Sequence, residues 1–186
     1  MSKGFSGLFH GTLGTSYING SQNEVSYSDR GIEIPEHVKK ILSKLKEKGD
    51  TVTGNKDSFS MKDVSIMSKE TGAEFARVSI GEKTYLIRGD TSGAVDTNKL
   101  LKKIEKYGGS LDFHSHPHDN DCVPSKEDRT MLSMLKRLTG QSESKIVTPN
   151  GRISTFNEHG VIETGSVSNV IDHDMKEVYT RLFGGE

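Results

Sequence analysis

Leu111-Asp112-Phe113-His114-Ser115-His116-Pro117, followed by Pro124-Ser125-Lys126-Glu127-Asp128, is the stretch on which everything else turns. Residues 110–116 read as a short strand, and on a strand residues two apart share a face. His114 and His116 therefore present two imidazoles side by side. Pro117 cannot donate to a ladder and ends the strand, which leaves both imidazoles at a strand end, on the edge of a cleft. Ser125 has the chemistry of a helix N-cap, and Asp128 falls in the first turn of a helix predicted over 126–138. The helix N-terminus favours the Asp128 carboxylate. Two imidazoles and one carboxylate fill three tetrahedral positions around zinc, and the fourth stays open for water, as in catalytic rather than structural sites. His-x-His alone is common on surfaces, and Ser-x-x-Asp alone is usually just a cap. Their succession across a short Pro-bounded loop is far more specific.

Working outward, residues 73–80 read as a strand, Gly81-Glu82 as a turn, and 83–88 as a second strand. A helix over 97–107 carries Leu100, Leu101, Ile104 and Tyr107 at helical spacing, and Gly108-Gly109 stops it. Downstream, strands at 144–148, 152–156 and 160–163 form a meander whose first turn is Pro149-Asn150-Gly151. A last helix is expected over 169–183, with Ile171, Met175, Val178 and Leu182 as its stripe. Pro35 opens a further helix, about 35–48, with Val38, Ile41, Leu42 and Leu45 on one side and Gly49 as its stop. Its lysines read as a solvated face. The stretch between this helix and residue 73 gives no clear element. Helices and strands mix throughout, which predicts an α/β fold: a mixed sheet flanked by helices. Residues 1–30 differ, with five glycines among Ser, Thr and Asn, and read as a flexible N-terminal arm or linker ahead of one domain over 31–186.

Composition excludes several functions. Lys and Arg total 25 against 26 for Asp and Glu, so no general nucleic-acid or anionic-membrane footprint is expected. No run of about 18 apolar residues exists to span a bilayer. The opening residues lack the apolar stretch and cleavage site of a signal peptide, so export would need another route or another part of a longer protein. A lone Cys122 rules out an internal disulfide framework.

His-Ser-His-Pro followed by Pro-Ser-x-x-Asp resembles the signature of the JAMM (JAB, MPN-plus) metallopeptidases, over about residues 60–165. The gap from His116 to Ser125 is eight residues, where seven is usual. The resemblance implies a JAMM/MPN-like, cytidine-deaminase-like core and one zinc per chain held by His114, His116 and Asp128. It implies hydrolysis of a peptide or isopeptide bond in a protein substrate, often beside a ubiquitin-like modifier. It also implies an upstream Glu as general base, with Glu70, Glu74 and Glu82 as candidates. Alternation puts Glu74 with Ala76, Val78 and Ile80, an apolar face where a carboxylate is costly without a task. Partial burial would raise its pKa and suit a base. Glu74 is therefore chosen, although Arg77 stands where the family's Glu-x-x-Gly start has glycine. Ser125 would donate to the oxyanion. Asp112 would orient a ligand as an outer partner or be a plain strand-edge residue. Among His118, Asp119, Asp121 and Cys122 in the intervening loop, Cys122 is the best candidate for a latent fourth ligand.

Thr71-Gly72-Ala73-Glu74-Phe75-Ala76, the strand at 85–89 and the His-Ser-His-Pro module are also similar to JAB-like domains at the C-termini of bacterial polymorphic toxins. That similarity implies a bacterial chain, cytoplasmic or delivered as an effector module, with a cognate immunity protein as partner. Two alternatives differ in class. One is a JAMM-like scaffold or binding module without catalysis. The other is a PHP- or amidohydrolase-type metal hydrolase, suggested by Asp112-x-His114-x-His116, but such barrels need more chain and more downstream ligands than follow here.

Overall fold

A computed structural model describes residues 34–91 and 98–167, with backbone alone at 98–100. In chain order these form α1 (Glu36–Leu42), β1 (Thr51–Asn55), α2 (Met61–Thr71), β2 (Phe75–Ile80), β3 (Lys83–Arg88), α3 (Asn98–Tyr107), β4 (Ser110–Ser115), α4 (Lys126–Thr139), β5 (Ser144–Val147), β6 (Arg152–Asn157) and β7 (Gly160–Ser166). The arm expected at 1–30 and the helix expected at 169–183 lie outside the described residues.

One sheet runs β1-β3-β2-β4-β5-β6-β7, so β4 is its central strand. Every pairing is antiparallel except β4 with β5. That parallel pair needs a crossover, and α4 supplies it. The βαβ unit sets the C-terminal end of β4 beside the start of α4, which is where ligands gather in open α/β sheets. Side-chain alternation sorts the core to both faces. Phe75, Leu86, Phe113 and Val147 pack with Val38 of α1 and with Val64 and Met67 of α2. Ala76, Val78 and Ile87 pack with Ile104 of α3 and with Met131 and Leu135 of α4. Leu132, Ile146 and Phe156 close the space between α4 and β5–β6. The expected α/β class, a mixed sheet flanked by helices, is what forms.

Three stretches differ from the sequence reading. The helix expected over 35–48 ends at Leu42, although Leu45 is still fully buried. Side chains take the backbone groups that a longer helix would have paired. The Asp50 carboxylate accepts from the amides of Lys46 and Glu47, each at 2.8 Å, and Arg88 Nη1 donates to the Leu45 carbonyl at 2.6 Å. These bonds to its carboxylate hold the Asp50 pKa below its ordinary value. The unread stretch holds β1 and α2. Helix α2 starts at a capping box between Ser60 and Asp63 and stops at Gly72, whose φ is 63°.

The third difference lies in β4. Ala76 pairs with His114 and Arg77 with Phe113, but Val78 pairs with Leu111. Asp112 is therefore an extra, bulged residue. Its carboxylate accepts from Arg77 Nη1 and, at 2.5 Å each, from the hydroxyls of Ser79 and Ser110. Arg77 also donates through Nε to the Ser58 carbonyl at 2.9 Å and through Nη2 to the Lys56 carbonyl. The bulge returns Leu111 to the α3–α4 face while His114 stays on it. Replacing Asp112 by Ala should strip the bulge of its clamp and leave a largely buried guanidinium without its counter-charge, held only by two backbone carbonyls. Urea unfolding should show a loss of about 2–3 kcal/mol; a loss under about 0.5 kcal/mol, as at an ordinary surface site, would mean that the clamp carries no stability.

Candidate metal centre

Asp128 is placed by the start of α4. Ser125 Oγ accepts from the Asp128 amide at 3.0 Å, and Asp128 Oδ2 accepts from the Ser125 amide at 2.7 Å. This reciprocal capping box fixes the carboxylate before any ligand arrives. His114 and His116 come from the end of β4, where the His116 amide still pairs with the Val147 carbonyl at 3.1 Å. The three side chains converge. The two histidine Nε2 atoms are 3.1 Å apart, Asp128 Oδ1 is 3.2 Å from His114 Nε2, and Asp128 Oδ2 is 3.4 Å from His116 Nε2. All three residues are buried, His114 and Asp128 to 3% and 5% exposure. This buried group can hold a metal ion. Donors in tetrahedral array with bonds of about 2.0–2.1 Å sit roughly 3.3–3.4 Å from one another, the order of the separations between the imidazoles and the two Asp128 oxygens.

The remaining imidazole nitrogens behave differently. His116 Nδ1 lies 2.9 Å from the carbonyl of Asp121 and 3.3 Å from its Oδ2. A carbonyl only accepts, so Nδ1 carries the hydrogen and Nε2 is free to ligate when the ring is neutral. Asp121 is thus the outer partner of the second histidine, a role the sequence reading did not give it. His114 Nδ1 is buried without a hydrogen bond among the described residues. Packing orients that ring, edge-on to Phe156 with centroids 6.0 Å apart. Asp112, read as either an outer partner of a ligand or a plain strand-edge residue, serves the bulge, where the extra residue takes it out of phase with His114.

Burial lifts the Glu74 carboxyl well above the usual carboxylate range. The charges of Asp128 and Asp90 push the same way, against the pull of His116 and Lys48. Glu74, 4% exposed, stands just ahead of β2, and the charges of His116 and Asp128 both act on it. Glu82 is exposed in the β2–β3 turn, and Glu70 lies on α2. Burial alone would lower His116, but hydrogen bonds to the carboxylates of Asp121 and Asp128 outweigh it and raise the imidazole to about 10. Burial works against the Asp128 carboxylate as well, yet the two histidines hold it below the usual range. Cys122 is not part of the convergent group. Its carbonyl accepts from Ser154 Oγ at 2.6 Å, which pins the loop without using the thiol. His37, read as a surface residue, is bonded to Asp63 at 2.7 Å.

What fold and site define together is an α/β protein with a buried two-histidine, one-carboxylate group that could hold a metal ion, at the end of a central strand. No protein-family model matches the chain, and no curated protein or solved structure matches it. Among the described residues no helix is long and apolar enough to cross a membrane.

The carboxylates of Asp121 and Asp128 raise the His116 imidazole well above its ordinary value, so at neutral pH an incoming ion must displace its proton. Calorimetry of Zn²⁺ binding at pH 7, in buffers of differing ionisation enthalpy, should report release of about one proton per ion. Affinity should rise with pH until that proton is lost unaided. An affinity that does not change with pH would contradict this assignment.

Proposed function

We propose that the chain is a zinc-dependent metallopeptidase of the JAMM type, cleaving a peptide or isopeptide bond in a protein substrate. The observation that carries this reading is a buried carboxyl, Glu74, that feels the charges of His116 and Asp128, two of the three residues of the convergent group. A structural site would need no titratable neighbour with an elevated pKa, whereas a hydrolase working near neutral pH does.

Zinc held by His114, His116 and Asp128 would polarise the scissile carbonyl and make water acidic enough to ionise near neutral pH. The chain supplies the rest. Glu74 accepts the proton of the attacking water and delivers it to the leaving amine, and its raised pKa suits both transfers. Ser125 Oγ already accepts from the Asp128 amide, which leaves its O–H as a donor to the developing oxyanion. Asp121 holds His116 with Nε2 toward the ligand position. The resemblance to toxin-borne JAB-like domains makes a bacterial effector role, with an immunity protein as partner, part of the same proposal.

The test pairs two variants in the presence of one equivalent of zinc. Glu74→Gln should retain the metal and lose about 10²–10⁴-fold in cleavage rate on peptide and isopeptide-linked substrates. Asp128→Ala should lose both metal and activity, as mass spectrometry of metal content and products will show. Full activity in Glu74→Gln would remove Glu74 from the reaction. A zinc-loaded parent chain that cleaves no amide bond would favour a scaffold.

A further inference from the structure

The β2–β4 ladder begins at Ala76 opposite His114, so Glu74 stands just outside it. A residue there would ordinarily have a loose backbone, yet every backbone polar group from Ala73 to the Phe75 amide has a partner. The Ala73 amide donates to Thr71 Oγ1 at 3.2 Å, the Glu74 amide to the Asp90 carbonyl at 3.2 Å, and the Gly89 amide to the Glu74 carbonyl at 2.7 Å. The other two partners are serine hydroxyls with no exposed surface. Ser68 Oγ donates to the Ala73 carbonyl at 2.9 Å and reaches the His116 carbonyl at 3.4 Å. Ser115 Oγ accepts from the Phe75 amide at 2.9 Å. Ser115 lies between the two ligating histidines, and Ser68 touches the backbone of the second.

We propose that Ser68 and Ser115 are positioning residues for Glu74: their buried hydroxyls hold the peptide units on either side of it and so fix the base relative to the imidazole pair. The inference rests on Glu74 acting as the base. It explains two features that the reaction itself leaves unused. The residue between the histidines is a small hydroxyl side chain, where a strand would accept any β-former. The buried face of α2 carries Ser68 in a position where an apolar side chain would pack against the core. Hydroxyls stand in for the missing ladder because Pro117 ends β4 too early to extend it past Ser115.

Ser115→Ala and Ser68→Ala, loaded with zinc, should keep one metal per chain and an unchanged KM while kcat falls about 10–100-fold, since a misplacement near 1 Å is enough for such a loss. A second measurement does not depend on turnover. With Co²⁺ in the site, the paramagnetic relaxation of the Glu74 side-chain carbons reports their distance from the metal, and both variants should change it relative to the parent. Parent-like relaxation and kcat in both variants would overturn the brace while leaving the peptidase reading intact. If the zinc-loaded parent cleaves nothing, that reading fails, and the relaxation alone decides whether the brace exists. Should Ser115→Ala fail to fold, Ser68→Ala decides between these outcomes by the same two readouts.

Discussion

A carboxylate and two imidazoles taken out of water must satisfy one another, and in this chain they do so across the junction of a strand and a helix. Asp128 cannot retreat to solvent, because the capping box at the start of α4 holds it through the Ser125 amide. His116 cannot swing away either, with its amide on β5 and its Nδ1 on Asp121. A buried carboxylate in such a place would be costly alone. The nearby imidazoles keep it charged, and it in turn keeps a proton on His116. A divalent ion held there would replace that proton with a stronger version of the same interaction. The rest of the fold serves this arrangement. The parallel β4–β5 pair requires a crossover helix, and the crossover delivers the helix N-terminus to the end of the ligand strand.

Around this centre the chain places polar groups where apolar ones would pack more easily. The bulge at Asp112 is tied by Arg77, Ser79 and Ser110, and it brings β4 into phase so that Leu111 and His114 share a face three residues apart. Glu74 is flanked by hydroxyl-held peptide units. Side-chain hydrogen bonds replace regular ladder bonds in both places. Local departures of this kind, fully satisfied, mark where a fold has been shaped around a site.

Much of this was legible in the sequence because the signals were local. His-x-His before Pro117 and Ser125-x-x-Asp128 each fix a side chain by backbone geometry within a few residues, and the structure brings the three predicted ligands together. The strand at 83–88 and the helix that follows Ser125 were equally clear from turn and cap residues. The misses have physical causes. Helix α2 buries Ser65 and Ser68 beside Val64 and Met67, which blurs its apolar stripe, although the Ser60–Asp63 box and Gly72 marked both its ends. Strand β1 is five residues long and includes Gly54, too short to stand out. The end of α1 was set by Asp50 and Arg88, from outside the helix. The bulge at Asp112 was not foreseen because strict alternation does not predict one, and Asp121 was named only among the loop's possible ligands because its partner, His116 Nδ1, is known only once the loop has folded back.

The central claim is that His114, His116 and Asp128 bind one metal ion together. X-ray absorption at the zinc edge of the loaded chain tests it directly. The spectrum should show two imidazole nitrogens and only oxygen besides, in a four-coordinate shell at about 2.0–2.1 Å. Loss of the imidazole scattering pattern, or a shell in which sulfur takes the place of the imidazoles, would contradict it.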